Sequence, residues 1–307
     1  MAPRITSQIV ALQLSSQIRH HSANLHTYNK AVSSGISISR PSDDVSKFHM
    51  SLYHRMSYGR LSTFVDNITF SSNILDTIVN ALININNLLT KAHLIASSGV
   101  DATLDQLSLA SMGEEVDMLL HNLLDIFNSD IYGSYLFSGD LLNIQPFSIT
   151  SYNSSGRISN IIYVGSASNS VGIITHTQTI PLYLAGGTIE QAGGNSIFQA
   201  LIDLRDALLI NSPQRANALT NAMHSIEVAR DRISEYIGIV SSRLSVLRDL
   251  QEQFDTLRYE HKSMQSNLES TDYAEAIVKL NESQYLLQAS MAITARYYSY
   301  SFLDYLA

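Results

Sequence analysis

The chain has 307 residues, 45% hydrophobic and only 15% charged, and 19 basic against 27 acidic residues leave a net charge of −8. With no run of Lys or Arg, that balance excludes a dedicated nucleic-acid binder, which needs a basic patch to displace counterions. The absence of cysteine excludes disulfides, thiolate nucleophiles and Cys-based zinc sites, and no apolar run approaches the ~18 residues that read as a membrane-spanning helix.

Met1 to Leu14 carries one Arg and alternates apolar with polar residues, so it lacks the continuous apolar core of a secretory signal. Leu14, Ile18, Leu25, Tyr28 and Val32 then fall on alternating steps of four and three, with His21 interrupting the stripe. So narrow a stripe is a coiled-coil seam and requires a partner helix. Ser42 is placed to cap a second helix reaching about Ser98, with Leu75, Ile78, Leu82, Ile85, Leu89, Ala92 and Ala96 in register and Gly99 closing it. A third helix is expected from about Thr103 to Asn128, carrying Val116, Leu119, Leu123 and Phe127.

Residues 140–195 change character. Their charged residues are Asp140, Arg157 and Glu190, among many Ser, Asn, Thr and Gly. Ile158 to Val164 and Val171 to Thr175 read as strands, with a turn at Asn153 to Gly156. Ser196 and Gln199 form a capping box ahead of Leu201, Leu204 and Leu208. Asn211-Ser212-Pro213 breaks that helix and starts the next, with Ser212 as cap and Pro213 in the first turn. From there Leu219, Met223, Ile226, Ile233, Ile237, Val240, Leu244, Leu247 and Phe254 keep one register. An unbroken helix from Pro213 to Leu268 would be ~84 Å long at ~1.5 Å per residue. A second seam closes the chain: Tyr273, Ile277, Leu280, Leu287, Met291 and Tyr298, with Gln284 and Thr294 at the gaps.

Two unpaired seams at opposite ends can serve each other, which brings the termini together. The expected fold is mainly α: an elongated helical rod with terminal coiled-coil helices and a small β-rich inserted domain. Its parts are a coiled-coil segment at 1–44 that pairs with 270–307, rod halves at 45–139 and 196–269, and an outer β-rich insertion at 140–195.

No residue set points to catalysis, a cofactor or a metal. His20, His21 and His26 cluster, and His49 and His54 lie five apart, but a helix brings ligands together at spacings of three or four. These histidines read as solvated or packing residues. Asp43-Asp44 suits the positive end of a helix dipole, and Asp272 with Glu275 reads as a capping pair. The pairs Gly186-Gly187 and Gly193-Gly194 lack a following Gly-Lys-Ser/Thr, and Ser134 and Ser138 lie in no GxSxG setting.

Three blocks resemble the flagellins and flagellar hook-associated proteins. Ser33-Ser34-Gly35-Ile36-Ser37-Ile38-Ser39-Arg40-Pro41-Ser42-Asp43-Asp44 is similar to that family's Ser-Ser-Gly…Ile-Asn…Asp-Asp segment. Gly133-Ser134-Tyr135-Leu136-Phe137-Ser138-Gly139 resembles its Gly-x-Tyr-Leu-Phe-x-Gly run. Glu269 to Leu306, opened by Asp272-Tyr273-Ala274-Glu275-Ala276, resembles its C-terminal helix. The resemblance extends over roughly residues 1–139 and 196–307, and the insertion is not assignable by motif. Ser37 and Ser39 replace the family's usual Arg and Asn, and Val45 stands where Pro often follows Asp-Asp.

Within that family the junction proteins between hook and filament (hook-associated protein 3) fit better than filament flagellin, which stands as the alternative. The chain is short, it carries the Pro-Ser-Asp-Asp form and the Tyr-Leu-Phe-Ser-Gly run, and no Gln-x-Gly-Ala-Asn element follows that run. The resemblance implies a non-enzymatic structural subunit needed for motility. It implies export through the flagellar type III channel without a cleaved signal, to an extracellular place in the flagellum. The implied partners are identical subunits in a ring, an adjoining hook-associated protein, filament flagellin and an export chaperone, with neither nucleic acid nor membrane insertion. The expected assembly interface is Leu14, Ile18, Leu25, Tyr28, Val32, Tyr273, Ile277, Leu280, Leu287 and Met291. The motif residues carried over are Ser34, Gly35, Pro41, Asp43, Asp44, Tyr135, Leu136, Phe137, Gly139, Asp272 and Tyr273.

Overall fold

A computed structural model describes residues 3–100, 105–192, 195–210 and 214–306. In chain order these form α1 (Pro3–Ser34), α2 (Val45–Gly99), α3 (Gln106–Phe127), β1 (Asp130–Ile131), β2 (Ser134–Tyr135), β3 (Phe147–Tyr152), β4 (Ile158–Tyr163), β5 (Val171–Ile173) and β6 (Thr179–Pro181). They continue with α4 (Gly186–Glu190), β7 (Gln191–Ala192), β8 (Asn195–Ser196), α5 (Ile197–Leu209), α6 (Arg215–Glu269) and α7 (Tyr273–Leu306). The predominance of helix and the long helices expected from periodicity are present. The helices α2 and α6 run 55 residues each without a break, about 82 Å at ~1.5 Å per residue. The chain divides into two compact units, residues 1–61 with 256–307, and residues 62–255.

The second unit holds the main apolar core. Every α2 residue placed in the stripe, Leu75, Ile78, Leu82, Ile85, Leu89, Ala92 and Ala96, is fully buried. This explains how α2 can contain an 18-residue window apolar enough to cross a bilayer by composition, since its apolar face is spent on the core. Val116, Leu119, Leu123 and Phe127 of α3 meet Leu201, Leu204 and Leu208 of α5, and α6 adds Leu219, Ile226, Ile233, Val240 and Leu247. Ser196 caps α5 as expected, its side chain accepting the Gln199 amide. Thr103, where α3 was expected to start, and the proposed cap at Ser212-Pro213 lie outside the described residues. The cap of α3 is Asp105, which accepts from the Ser108 amide at 3.2 Å.

The inserted strands form antiparallel hairpins. β3 pairs with β4 and β5 with β6, so the two predicted strands each acquire a partner that had not been read as a strand, although the alternating Phe147–Tyr152 run of β3 carries β-forming residues. Asn153 makes the β3–β4 turn: its Oδ1 accepts the Ser155 and Arg157 amides, and Gly156 takes φ +75°. Phe147, Ile158, Ile180, Leu182, Leu184 and Ile189 of this region join the same apolar cluster as α2, α3 and α5.

In the first unit α1 packs closely along α7. The end of α1 adjoins the start of α7, where Ile36 pairs with Ser270 and the Thr271 amide donates to the Gly35 carbonyl at 3.0 Å. The two helices are therefore antiparallel.

Candidate functional site

The connector after α1 is built from hydrogen bonds to its own side chains. Ser34 Oγ donates to the Lys30 carbonyl and accepts the Ile36 amide, which closes α1. Gly35 sits at φ +70°, and a Cβ there would come within 2.7 Å of the Tyr273 hydroxyl; glycine is needed for both reasons. Pro41 occupies the turn closed by the Asp43 amide on the Arg40 carbonyl, a position where its fixed φ is favourable. Asp43 Oδ2 accepts the Ser39 and Arg40 amides, each at 2.9 Å. The Ser39 amide above all, with Arg40 and the Lys30 charge helping, holds that carboxyl below its usual range.

The cap of α2 is Asp44, not Ser42: Asp44 Oδ1 accepts the Lys47 amide at 2.9 Å. A carboxylate at that position also meets the positive end of the dipole, as the Asp43-Asp44 reading required. Asp272 caps α7, accepting the Ala274 and Glu275 amides at 2.9 and 3.2 Å.

Glu269, where α6 ends, anchors the two connectors. Its backbone carbonyl accepts the Ser37 amide and hydroxyl, so the serine that departs from the family pattern is itself a link. Its side chain is buried and accepts from Ser51, Gln265 and Arg55, the last at 2.7 Å. Burial alone would raise this carboxyl, but the three donors and the Arg55 charge outweigh it and lower the pKa. Sequence reading missed this network. Ser51 with Arg55 and Gln265 with Glu269 do each show the four-residue spacing of one helix face, the one signal that pointed to it.

Along the terminal pair, Leu14, Ile18, Leu25, Tyr28 and Val32 all lie on the partly buried face of α1, and His21 occupies its place in the same stripe. On α7 the covered positions are Ala276, Leu280, Ser283, Leu287, Ser290, Thr294 and Tyr297, a 4/3 repeat of its own. Leu280 and Leu287 therefore meet α1, whereas Tyr273, Ile277 and Met291 are 54%, 46% and 52% exposed. With Tyr298 they form a second apolar line beside the covered one. The covered line was missed because Ala and Ser do not register as apolar periodicity.

The second motif block belongs to the core of the second unit. Leu136 and Phe137 are buried, and Phe137 packs edge-on to Phe127 with centroids 5.2 Å apart. Tyr135 pairs with Asp130 in the small hairpin and its amide donates to the Leu142 carbonyl. Gly139 takes φ +67°, and a Cβ there would lie 2.5 Å from the carbonyl oxygens of both Ser166 and Ser168. Nearby, a cleft of about 660 Å³ is lined by Tyr163, Glu190 and Arg232 among others. Burial pushes Glu190 up to about 7. Among the described residues there is no group of three or more His, Asp or Glu side chains placed to hold a metal.

The bacterial flagellin N-terminal helical region matches residues 5–141. No curated protein matches the sequence. Among solved structures, a candidate flagellar hook-associated protein from Vibrio parahaemolyticus is similar with a TM-score of 0.67 at 16% identity, covering 74% of this chain and all of that one. The flagellar junction protein FlgL of Legionella pneumophila gives 0.60 at 14% identity, over 72% of this chain and all of that one. FlgL of Bacillus cereus gives 0.56 at 19% identity, over 72% and 99%. At these identities the likeness is one of fold. The chain is therefore flagellin-like in its N-terminal helical region and has the fold of the flagellar hook-associated proteins.

Proposed function

We propose that the chain is a structural subunit of the bacterial flagellum at the junction of hook and filament, incorporated through its terminal helices. The observation that carries this reading is the double-sided α7. One of its lines is covered by α1, while Tyr273, Ile277 and Met291 remain open. Apolar side chains left open on a paired helix gain on the order of 1.5–3 kcal/mol each when fully covered, which suits side-by-side packing of identical subunits in a ring. The two connectors, tied through Glu269 and capped by Asp44 and Asp272, would hold the terminal pair in position. The insertion at 140–195 would face outward, and 45–139 with 196–269 would form the intervening layer.

On this reading the protein is not an enzyme. It passes through the flagellar export channel without a cleaved signal, its terminal helices covered by a chaperone beforehand. It then contacts an adjoining hook-associated protein on one side and filament flagellin on the other. Filament flagellin is the second reading, favoured by the flagellin description of the matched N-terminal region. A deletion strain separates the two. Hooks that shed flagellin into the medium support the junction protein; capped hooks without secreted flagellin indicate a filament subunit. Removal of residues 273–307 should abolish incorporation and motility, and normal swimming in that strain would overturn both readings.

A further inference from the structure

Two histidines that lie far apart in sequence meet across helices in the first unit. His54 of α2 and His261 of α6 bring their Nδ1 atoms to 2.8 Å, with ring centroids 5.1 Å apart. The two nitrogens face each other head-on, so the contact is a hydrogen bond that joins helices across a separation of 207 residues. One Nδ1 carries a hydrogen and donates it, and the other accepts. Both rings are partly buried, and the Tyr53 ring stands edge-on to each, at 5.4 and 6.2 Å.

The charged groups on both helices favour a pair that carries little charge. On α2, Arg55 bonds Glu269. On α6, Lys262 lies over the Tyr58 ring at 5.6 Å, and Arg258 stands one turn before His261. The Glu269 carboxyl is taken up by Ser51, Arg55 and Gln265, and Glu260, beside His261 in sequence, is exposed. Three cations therefore flank the pair, while the buried carboxylate is already engaged.

We propose that His54 and His261 form a proton-operated latch between α2 and α6, which holds with one added proton and opens on the second. With both rings neutral, the link is an ordinary N–H to N hydrogen bond. One added proton leaves a charged donor facing a neutral acceptor, and such a bond is the stronger for its charge. The second proton leaves a hydrogen on each Nδ1, no acceptor, and two like charges in contact. An imidazole takes its proton within the range from about pH 8 to about pH 5. The two rings of an unfolded chain take theirs independently, so in this range the unfolded chain binds more protons than the folded one. Stability from the latch is therefore present at the alkaline end and lost as pH falls.

The test follows the full chain by NMR of nitrogen-labelled histidine rings from about pH 8 to about pH 5, in wild type, His54→Gln and His261→Gln. Amide-exchange protection is read alongside in the parts of α2 and α6 around the pair, with α5 as the reference. In wild type the pair should titrate in two separate steps. Across the second, protection around the pair should fall at least about tenfold relative to α5, as for sites coupled by one unit or more. In either variant the remaining ring should titrate in a single step, and that loss of protection should be absent. Loss at the Glu269 network comes at lower pH, because its carboxyl is held below the ordinary value of 4.5, so the two events separate. An equal loss in wild type and both variants would trace it to other groups and overturn the proposal. So would unchanged protection in wild type, or two rings that titrate there as independent sites, results that do not depend on either variant folding.

Discussion

Single side chains set the strain and charge of the second unit. Gly139 cannot be exchanged quietly, because any Cβ meets two carbonyl oxygens and the backbone is left-handed. Gly139→Ala is expected to cost about 1–3 kcal/mol, measured by urea unfolding; an unchanged midpoint would refute the assignment. Arg205 is fully buried, yet it bonds Asp117 at 2.8 Å, Asp206 at 2.9 Å and the Ile158 carbonyl at 2.8 Å. Burial opposes its charge, but the Asp206 and Asp117 carboxylates outweigh that and raise its pKa. Arg205→Ala strands Asp117 and is expected to cost about 3–5 kcal/mol. Glu190 behaves in the opposite sense, held up to about 7 by burial. The folded chain keeps this proton after the unfolded chain has lost it, so stability from this group falls as pH rises from about 4.5 to 7 and is level above. Glu190→Gln should therefore raise Tm at pH 8 and leave it unchanged near pH 4; equal effects at both would exclude a titrating Glu190.

Helices begin and end here through short polar devices rather than through propensity. Asp272 accepts two amides at the start of α7, and a lost cap of this kind costs about 1 kcal/mol. Asp272→Ala is expected to speed amide exchange in the first turns of α7 while leaving α3 and α5 unchanged. The Glu269 network acts at the same joint and carries its own pH dependence. Its carboxyl is held below the usual value in the folded chain. The stabilisation is complete above the ordinary carboxylate pKa and is lost as pH falls through the depressed one. Glu269→Gln should accordingly narrow the difference in stability between neutral and acid pH.

The two apolar lines of α7 can be separated by substitution. Leu280 and Leu287 face α1 within one chain, while Ile277 and Met291 do not. Ile277→Asp with Met291→Asp should leave the isolated chain's stability within about 0.5 kcal/mol, as for exposed positions generally. On the proposed function the same pair of changes should block incorporation into the flagellum. Leu280→Asp with Leu287→Asp should instead weaken the α1–α7 pair itself, seen as lost helicity at 222 nm before any assembly. If the exposed pair assembled normally, the open line would have no part in subunit contacts.

Periodicity by itself determined most of the architecture. An apolar residue every three or four positions leaves one buried face on a helix, so the stripes of α2, α3, α5 and α6 could be read from the chain. Asp and Ser ahead of such stripes announced several caps, although the choice of Asp44 over Ser42 needed the backbone conformation after Pro41. Two of the three motif blocks lie in the region that matches the flagellin N-terminal helical region. What only the tertiary structure decided were relations between distant segments. β3 and β6 became strands because β4 and β5, their hairpin partners, satisfied their backbone groups. Glu269 became an anchor because Ser37, Ser51 and Arg55 converge on it from the other end of the chain. His54 acquired a neighbour only when α6 brought His261 against it. On α7 the covered line runs through Ala276, Ser283 and Ser290, because small side chains let two helices approach closely, while the more conspicuous Tyr273, Ile277 and Met291 stay open. The chain's apolar pattern thus specified where helices lie, and packing chose which face each one covers.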